Sequence, residues 1–160
     1  MIARLELKNF TAFSDLSIDF SPKVNVIIGE NGTGKTHLLK AAYAICSCSS
    51  LFHENGKVGK NKIREALTTK LLRLFMPLDN KLGRMYHRGS SEKARLEVRF
   101  ASDAKVAVSF GARSKSLVLK ESENYEHYHD KPIFIPTKEV LSFIKSISAP
   151  ESEGDHSKYF

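Results

Sequence analysis

Apolar and polar residues alternate at the start of the chain and again in its second half, a period of two that predicts β-strands. In the first 20 residues the alternating apolar positions are Ala3, Leu5 and Leu7, followed by Leu16, Ile18 and Phe20. The alternation returns over 93–100, 104–110 and 117–119, with turns at 101–103 and 111–114. The later segments therefore predict an antiparallel meander with one covered face.

Other segments lack this alternation. The continuously apolar run 24–28 is typical of a central strand covered on both sides, and 133–135, bracketed by prolines, predicts a short buried strand. Helical spacing predicts helices over 36–46, with an apolar face of Leu38, Leu39, Ala42 and Ile45, over 62–75, and over 138–148, the last capped by Thr137. Residues 46–61 and 77–92 are interpreted as loops, the second of them mobile. The pattern predicts an α/β fold, with a mixed central sheet and an added antiparallel β subdomain.

Length and composition indicate one globular domain. The chain has 160 residues, of which 41% are hydrophobic and 27% charged. No apolar run approaches the roughly 20 residues of a membrane span, and the N-terminus lacks the layout of a signal peptide, so we expect a cytoplasmic protein. Cys46 and Cys48 match neither a disulfide nor a zinc spacing and are interpreted as reduced thiols. His127 and His129 lack a third metal ligand in sequence and are interpreted as surface residues.

The formal net charge is +7, and the excess is concentrated between residues 57 and 95. The basic positions there are Lys57, Lys60, Lys62, Arg64, Lys70, Arg73, Lys81, Arg84, Arg88, Lys93 and Arg95. Such a stretch can follow a nucleic-acid backbone, or it can be a solvated helix face and loop. The second interpretation is favoured because no base-reading motif accompanies the charge.

The chemistry of the chain is concentrated in residues 29–36, which fit the phosphate-loop pattern G-x-x-x-x-G-K-[ST]. They are Gly29, Glu30, Asn31, Gly32, Thr33, Gly34, Lys35 and Thr36, with His37 following in the helix. Glycines permit the tight turn, and the freed N–H groups with the helix N-terminus can hold a phosphate. Lys35 is the cation for the β- and γ-phosphates, and the Thr36 hydroxyl is placed to ligate Mg²⁺. The sequence predicts a nucleoside triphosphate ligand.

The chain begins with a strand, Asn9-Phe10 and a second strand, and these are followed by the run from Val24 to Thr36. This order resembles the N-terminal lobe of RecF-like, SMC-like and OLD-like ATPases. These belong to the ABC-type phosphate-loop NTPases of the wider AAA family and include anti-phage defence proteins. The segment 133–142 also resembles a strand-to-helix segment of the defence-type members. The resemblance implies ATP and Mg²⁺ bound over 29–37, a catalytic role for Lys35, and a homodimer or a partner ATPase or nuclease subunit. It also implies that Phe10 or Phe13 approaches the base. Many relatives have a basic residue where this chain has Thr11, so the contact that this basic side chain makes is not expected here.

Several motifs of such ATPases are absent from the sequence. It contains no glutamine for a Q-loop, no L-S-x-G signature and no apolar strand ending in two carboxylates. Residues 1–148 are therefore expected to be an incomplete ATPase lobe, with 149–160 a polar tail, and the chain to bind ATP with little turnover. Acidic candidates without a Walker B context are Glu30, Glu139, Glu151, Glu153 and Asp155. A non-hydrolysing nucleotide-binding regulatory module remains the alternative. A small-molecule kinase is disfavoured because a meander follows the first helices.

Overall fold

The computed structural model describes residues 1–49, 59–125 and 132–135, and it has two helices and five strands in these ranges. In chain order they are β1 (Ile2–Phe10), β2 (Phe13–Asp19), α1 (Lys35–Ser49), α2 (Lys60–Phe75), β3 (Ala94–Phe100), β4 (Lys105–Phe110) and β5 (Val118–Glu123). Two short 3-10 turns, Leu78–Asn80 and Leu82–Met85, precede β3. None of the helices in the described ranges has the length and apolarity needed to cross a membrane.

The five strands form one antiparallel sheet in the order β2-β1-β3-β4-β5. Its register aligns the apolar positions of neighbouring strands, so that Leu7 faces Leu16 on one side and Leu96 on the other. Leu96 in turn pairs with Val108. Because side chains alternate across a strand, this register collects one apolar face. The predicted meander is confirmed, and its strands continue the sheet that β1 and β2 begin.

Helices α1 and α2 cover this apolar face. From α1 the buried residues include Leu38, Ala41 and Ile45, and from α2 they are Ile63, Leu67 and Leu71. Phe10 links sheet to helix, since its ring makes edge-to-face contacts with Phe75 and Phe110. Two of the three predicted helices, those over 36–46 and 62–75, are confirmed with small shifts of their ends. The predicted apolar face of α1 is wrong at Leu39, which is 48% exposed.

On the other face of the sheet, a buried carboxylate is held by three cations. Glu97 is 3% exposed and forms ion pairs with Arg95 at 2.7 Å, Arg99 at 3.1 Å and Lys105 at 3.3 Å. Burial alone would raise the pKa of Glu97, but the hydrogen bonds from these cations outweigh it and hold the pKa below its ordinary value. The Glu97 carboxylate is therefore satisfied by its neighbours in the sheet.

The expected central strand at 24–28 does not form, and the mixed sheet built on it is absent from the described residues. Val24, Val26 and Ile28 are 79%, 76% and 89% exposed, while Ile27 is half-buried against the core. The short strand expected at 133–135 is also not formed, and Ile133 and Ile135 are exposed. A strand needs hydrogen-bonding neighbours, and within the described ranges neither segment pairs with another.

Two loop predictions differ from the structure in part. Helix α1 continues to Ser49, three residues beyond its predicted end at residue 46. Residues 77–92, predicted to be a mobile loop, pack through the buried residues Leu82, Gly83 and Met85. A single bridge also pairs Phe10 with Tyr86. The contacts that fix this segment are tertiary, so local periodicity does not reveal them. His127, His129, Thr137, the helix at 138–148 and the tail at 149–160 lie outside the described residues.

Candidate functional site

The glycine loop lies at the surface, immediately before α1. Gly32 and Gly34 have φ angles of +83° and +95°, in the left-handed region that glycine adopts at little cost. Helix α1 begins at Lys35. The Leu38 N–H in its first turn donates a hydrogen bond to the carbonyl of Gly34, which directly precedes the helix, at 2.9 Å. The exposed predicted site residues are Gly29, Glu30, Asn31, Gly32, Thr33 and Thr36, whereas Gly34, Lys35 and His37 are half-buried. The structure thus brings the whole predicted loop to one helix end.

The Lys35 side chain hydrogen-bonds to the backbone of the glycine loop. Its Nζ donates hydrogen bonds to the carbonyl oxygens of Gly29 at 2.6 Å and Glu30 at 2.5 Å. The Thr33 hydroxyl donates to the Glu30 carbonyl at 2.9 Å and closes the same turn. The positive charge of Lys35 is therefore held against the loop backbone by carbonyl dipoles, without a carboxylate partner among the described residues.

The loop also presents unpaired donors. Within the described chain, no group accepts a hydrogen bond from the backbone N–H of Gly32, Gly34, Lys35 or Thr36. The first turn of α1 carries no acidic residue that would repel an anion. A helix of 15 residues carries a partial positive charge at its N-terminus, and this loop adds an ammonium group to it. The combination is suited to a phosphate group.

The Thr36 hydroxyl fits the role of a magnesium ligand that acts together with phosphate oxygens and water. Thr36 is exposed and lies directly after Lys35 at the start of α1. Among the described residues no cluster of three or more His, Cys, Asp or Glu side chains could hold a metal alone. A divalent cation at Thr36 would therefore need the oxygens of a bound phosphate.

Phe10 or Phe13 was expected to approach a base, and the two residues lie in different surroundings. Phe10 is fully buried between Phe75 and Phe110, so the expectation that it approaches a base is wrong. Phe13 is half-buried, and its ring lies against Gly34: a Cβ placed on Gly34 would lie 2.8 Å from Phe13 Cζ. Phe13 therefore braces the loop from the start of β2.

The β1–β2 turn that precedes Phe13 is hydrogen-bonded to the segment 85–87. Sequence patterns did not predict this contact. The Thr11 N–H donates to the Met85 carbonyl at 2.7 Å, and the Thr11 residue has a φ of +50°. His87 Nδ1 lies 2.9 Å from the Thr11 carbonyl. Because a carbonyl oxygen only accepts, His87 carries its proton on Nδ1 in this contact. The segment 85–87 thereby fixes the turn that supports the glycine loop.

His37, expected to be part of the loop site, faces the core side of α1. Its ring lies 5.5 Å from the Phe75 ring, and its Nδ1 is buried without a partner among the described residues. Burial, and then the nearby charge of Lys40, lower the pKa of His37 below its ordinary value. The neutral imidazole is the favoured form.

Of the acidic candidates, the described residues include only Glu30, which is exposed on the loop itself. Glu139, Glu151, Glu153 and Asp155 lie outside the described ranges. Cys46 and Cys48 are buried and form no disulfide, as expected. Burial raises the pKa of the Cys48 thiol to about 12, against the opposing influence of Lys70. These thiols belong to the packing of α1.

An antiparallel sheet covered by two helices, with a glycine loop at a helix N-terminus, defines an α/β protein. A family model described as the AAA ATPase domain matches residues 1–156, and the chain belongs to that family. Nucleotide binding is what membership of an ATPase family implies.

Curated proteins similar to the chain include several named DNA replication and repair protein RecF. The one from Ligilactobacillus salivarius is 31% identical over 105 residues, covering 59% of this chain and 27% of the relative. The one from Bacillus mycoides is 33% identical over 97 residues, covering 61% and 23%. A third, from Bacillus cytotoxicus, is 47% identical over 49 residues, covering 31% and 13%. The chain thus matches about a quarter of the length of the first two relatives.

Proposed function

We propose that the chain is an ATP-binding lobe of an ABC-type, RecF/SMC/OLD-like ATPase, with Gly29 to His37 as its nucleotide-binding segment. The observation that carries the proposal is the cation of Lys35, held at the centre of a glycine loop whose N–H groups are unpaired. Few ligands other than a phosphate chain match an ammonium, a helix N-terminus and a row of N–H donors together.

The role of each residue follows from its placement. Gly32, Gly34, Lys35 and Thr36 offer backbone N–H groups to the β-phosphate, and Lys35 releases its two carbonyl acceptors to reach the β- and γ-oxygens. The Thr36 hydroxyl would hold Mg²⁺, which when bound would neutralise charge on the phosphates. His37 supports the first turn of α1 through Phe75.

Hydrolysis in this proposal requires a second lobe. The sequence lacks a Q-loop glutamine, a signature motif and a Walker B carboxylate pair, so nothing in the loop positions a water for attack. Apolar side chains are exposed in two places, at Val24, Val26 and Ile28 and at Ile133 and Ile135. Neighbouring strands cover apolar surfaces of this kind. A C-terminal lobe would cover them and supply the missing groups, and a dimer would bring the signature motif of one subunit to the loop of the other.

The biological setting belongs to the same proposal. The curated relatives are named for DNA replication and repair, which supports a role in DNA transactions. The sequence of 133–142 resembles a segment of anti-phage defence ATPases. A partner ATPase or nuclease subunit fits either setting.

Phosphate release from γ-labelled ATP, measured alongside ATP binding by the full chain, tests the proposal. We expect Mg²⁺-dependent binding without multiple turnovers, since a catalytic carboxylate is absent from the loop. Sustained turnover that Lys35→Ala removes would contradict the requirement for a second lobe. If adding a RecF-type C-terminal lobe left release unchanged while ATP altered binding to a partner, the regulatory-module alternative would replace the ATPase proposal.

A further inference from the structure

A continuous groove runs from beside His37 across the second 3-10 turn to the β4–β5 turn. It consists of two adjoining cavities of about 590 and 500 Å³, which share Arg84, Tyr86 and Arg88 as lining residues. The first cavity reaches Thr11 and His37, and the second is completed by Lys81, Arg113 and Lys115. This basic groove therefore extends to the first turn of α1 at His37.

Two segments almost 30 residues apart form the groove, and a glycine contact holds them together. A Cβ on Gly83 would lie 2.0 Å from the Ala112 carbonyl oxygen, so only glycine allows this approach. The Gly83 N–H donates to the Ser114 carbonyl at 3.0 Å, and the Ser114 N–H donates to the Gly111 carbonyl at 3.0 Å. The tight turn that carries Arg113 is thereby docked on the turn that carries Arg84.

The charge of the groove is strongly one-sided. Its cations are Lys81, Arg84, Arg88, Arg113 and Lys115, and no carboxylate of the described chain lines either cavity. Asp79, just outside, forms ion pairs with Arg84 at 2.9 Å and Lys81 at 3.7 Å. Within the described ranges, Arg88, Arg113 and Lys115 have no ion pair and are exposed. Exposed like charges on two docked turns create a local positive potential, which attracts a polyanion.

We propose that this groove binds the phosphate backbone of a nucleic acid. The proposal rests on the proposed link to DNA transactions and deepens it by assigning the surface that makes the contact. It also differs from the sequence interpretation of the basic stretch 57–95, because the groove takes Arg113 and Lys115 from outside that stretch and leaves out the cations of α2.

A nucleic acid fits the groove better than an acidic protein surface does. Three of the five cations are arginines, whose planar fork pairs with phosphate oxygens in two-point contacts. Tyr86 lines both cavities and is half-buried, with its hydroxyl donating to the Ser90 carbonyl at 2.5 Å, so its ring is held in place. An aromatic ring among phosphate-binding cations is typical of single-stranded nucleic-acid sites.

The test measures binding of a short fluorescein-labelled single-stranded DNA, and of the same sequence as a duplex, to the full chain over a salt series. The groove variant is Arg88→Gln with Arg113→Gln, one change from each turn. The matched control is Lys60→Gln with Lys62→Gln, two exposed cations of α2 with the same loss of charge. We expect about a tenfold loss of affinity for the groove variant near 0.1 M salt, and a decrease of about two in the slope of log affinity against log salt. The control should stay within about twofold.

Equal losses of DNA affinity in the two variants would overturn the proposal, since the attraction would then be diffuse. The proposal would also be overturned if the wild-type chain bound neither the single-stranded DNA nor the duplex. Displacement of the DNA by poly-L-glutamate at equal charge concentration would overturn it in favour of an acidic protein partner. Titration of both variants with Mg-ATP separates this inference from the nucleotide proposal, because ATP affinity should be unchanged in each. DNA binding by a chain that binds no ATP would refute the nucleotide proposal alone.

Discussion

The ring of Phe13 and the backbone of Gly34 are in direct contact, with the position of a Gly34 Cβ lying 2.8 Å from Phe13 Cζ and 3.0 Å from Ala12 Cβ. Gly34 is also the glycine before Lys35 and has a φ of +95°. The start of β2 therefore fixes the backbone that places Lys35. This contact links the antiparallel sheet to the glycine loop.

Gly34→Ala should reduce ATP affinity far more than Gly32→Ala. Both glycines have positive φ, which costs an alanine about 1–2 kcal/mol, but a Cβ on Gly32 meets nothing within 4 Å. The clash with Phe13 adds to the cost only at Gly34. Titration with a fluorescent ATP analogue measures both variants. Adding Phe13→Ala to Gly34→Ala should restore part of the affinity, and equal affinities for the two alanine variants would show that Phe13 does not brace the loop.

Gly83→Ala should destabilise the fold by about 1–3 kcal/mol, because a Cβ cannot fit 2.0 Å from the Ala112 carbonyl oxygen without a backbone shift. Gly111→Ala, in the same pair of docked turns, is the matched control, since its nearest contact is an ordinary 3.8 Å. Urea unfolding of both variants gives the comparison. Similar free energies of unfolding would mean that the two turns are not in close contact.

Sequence patterns predicted the local parts of this fold and missed the tertiary ones. The alternation around Leu96 and Val108 predicted the meander, and the glycine motif predicted the candidate site, because both signals lie within a few neighbouring residues. The central strand at 24–28 was wrong, since a continuous apolar run indicates burial but does not supply strand neighbours. The docking of Gly83 on Ala112 could not be predicted, because it depends on two turns almost 30 residues apart.

His37 should make stability depend on pH. Its pKa is lowered in the folded state by burial and then by Lys40, so the unfolded chain binds the proton more readily. The contribution of neutral His37 to the free energy of unfolding is complete above the unfolded pKa of about 6.5. This contribution is lost as the pH falls through the pKa of His37 in the folded chain. Stability should therefore decrease from about pH 7.5 to pH 5.5, and His37→Asn should decrease less over the same interval. Parallel pH dependences for variant and wild type would assign the effect to other groups.

The Cys48 thiol should be unreactive in the folded chain. Its pKa of about 12 and its full burial leave little thiolate, whereas an unfolded cysteine has a far larger thiolate fraction. In a Cys46→Ser background, reaction with a disulfide reagent near pH 8 should be at least about a hundredfold slower in buffer than in urea. Rapid reaction of the native chain would indicate that the end of α1 opens readily.

The central claim is that Lys35 and the glycine loop hold a nucleotide, and calorimetric titration of the full chain with Mg-ATP tests it most directly. Lys35→Ala removes the cation within the loop, while Lys40→Ala removes one from the next turn of α1, where its ammonium lies 5.7 Å from the Phe75 ring centroid. We expect the wild type and Lys40→Ala to bind with similar affinity and Lys35→Ala to lose at least about a hundredfold, since charge-assisted contacts to phosphate are lost. Equal binding by Lys35→Ala and wild type, or no binding by the wild type, would contradict the claim.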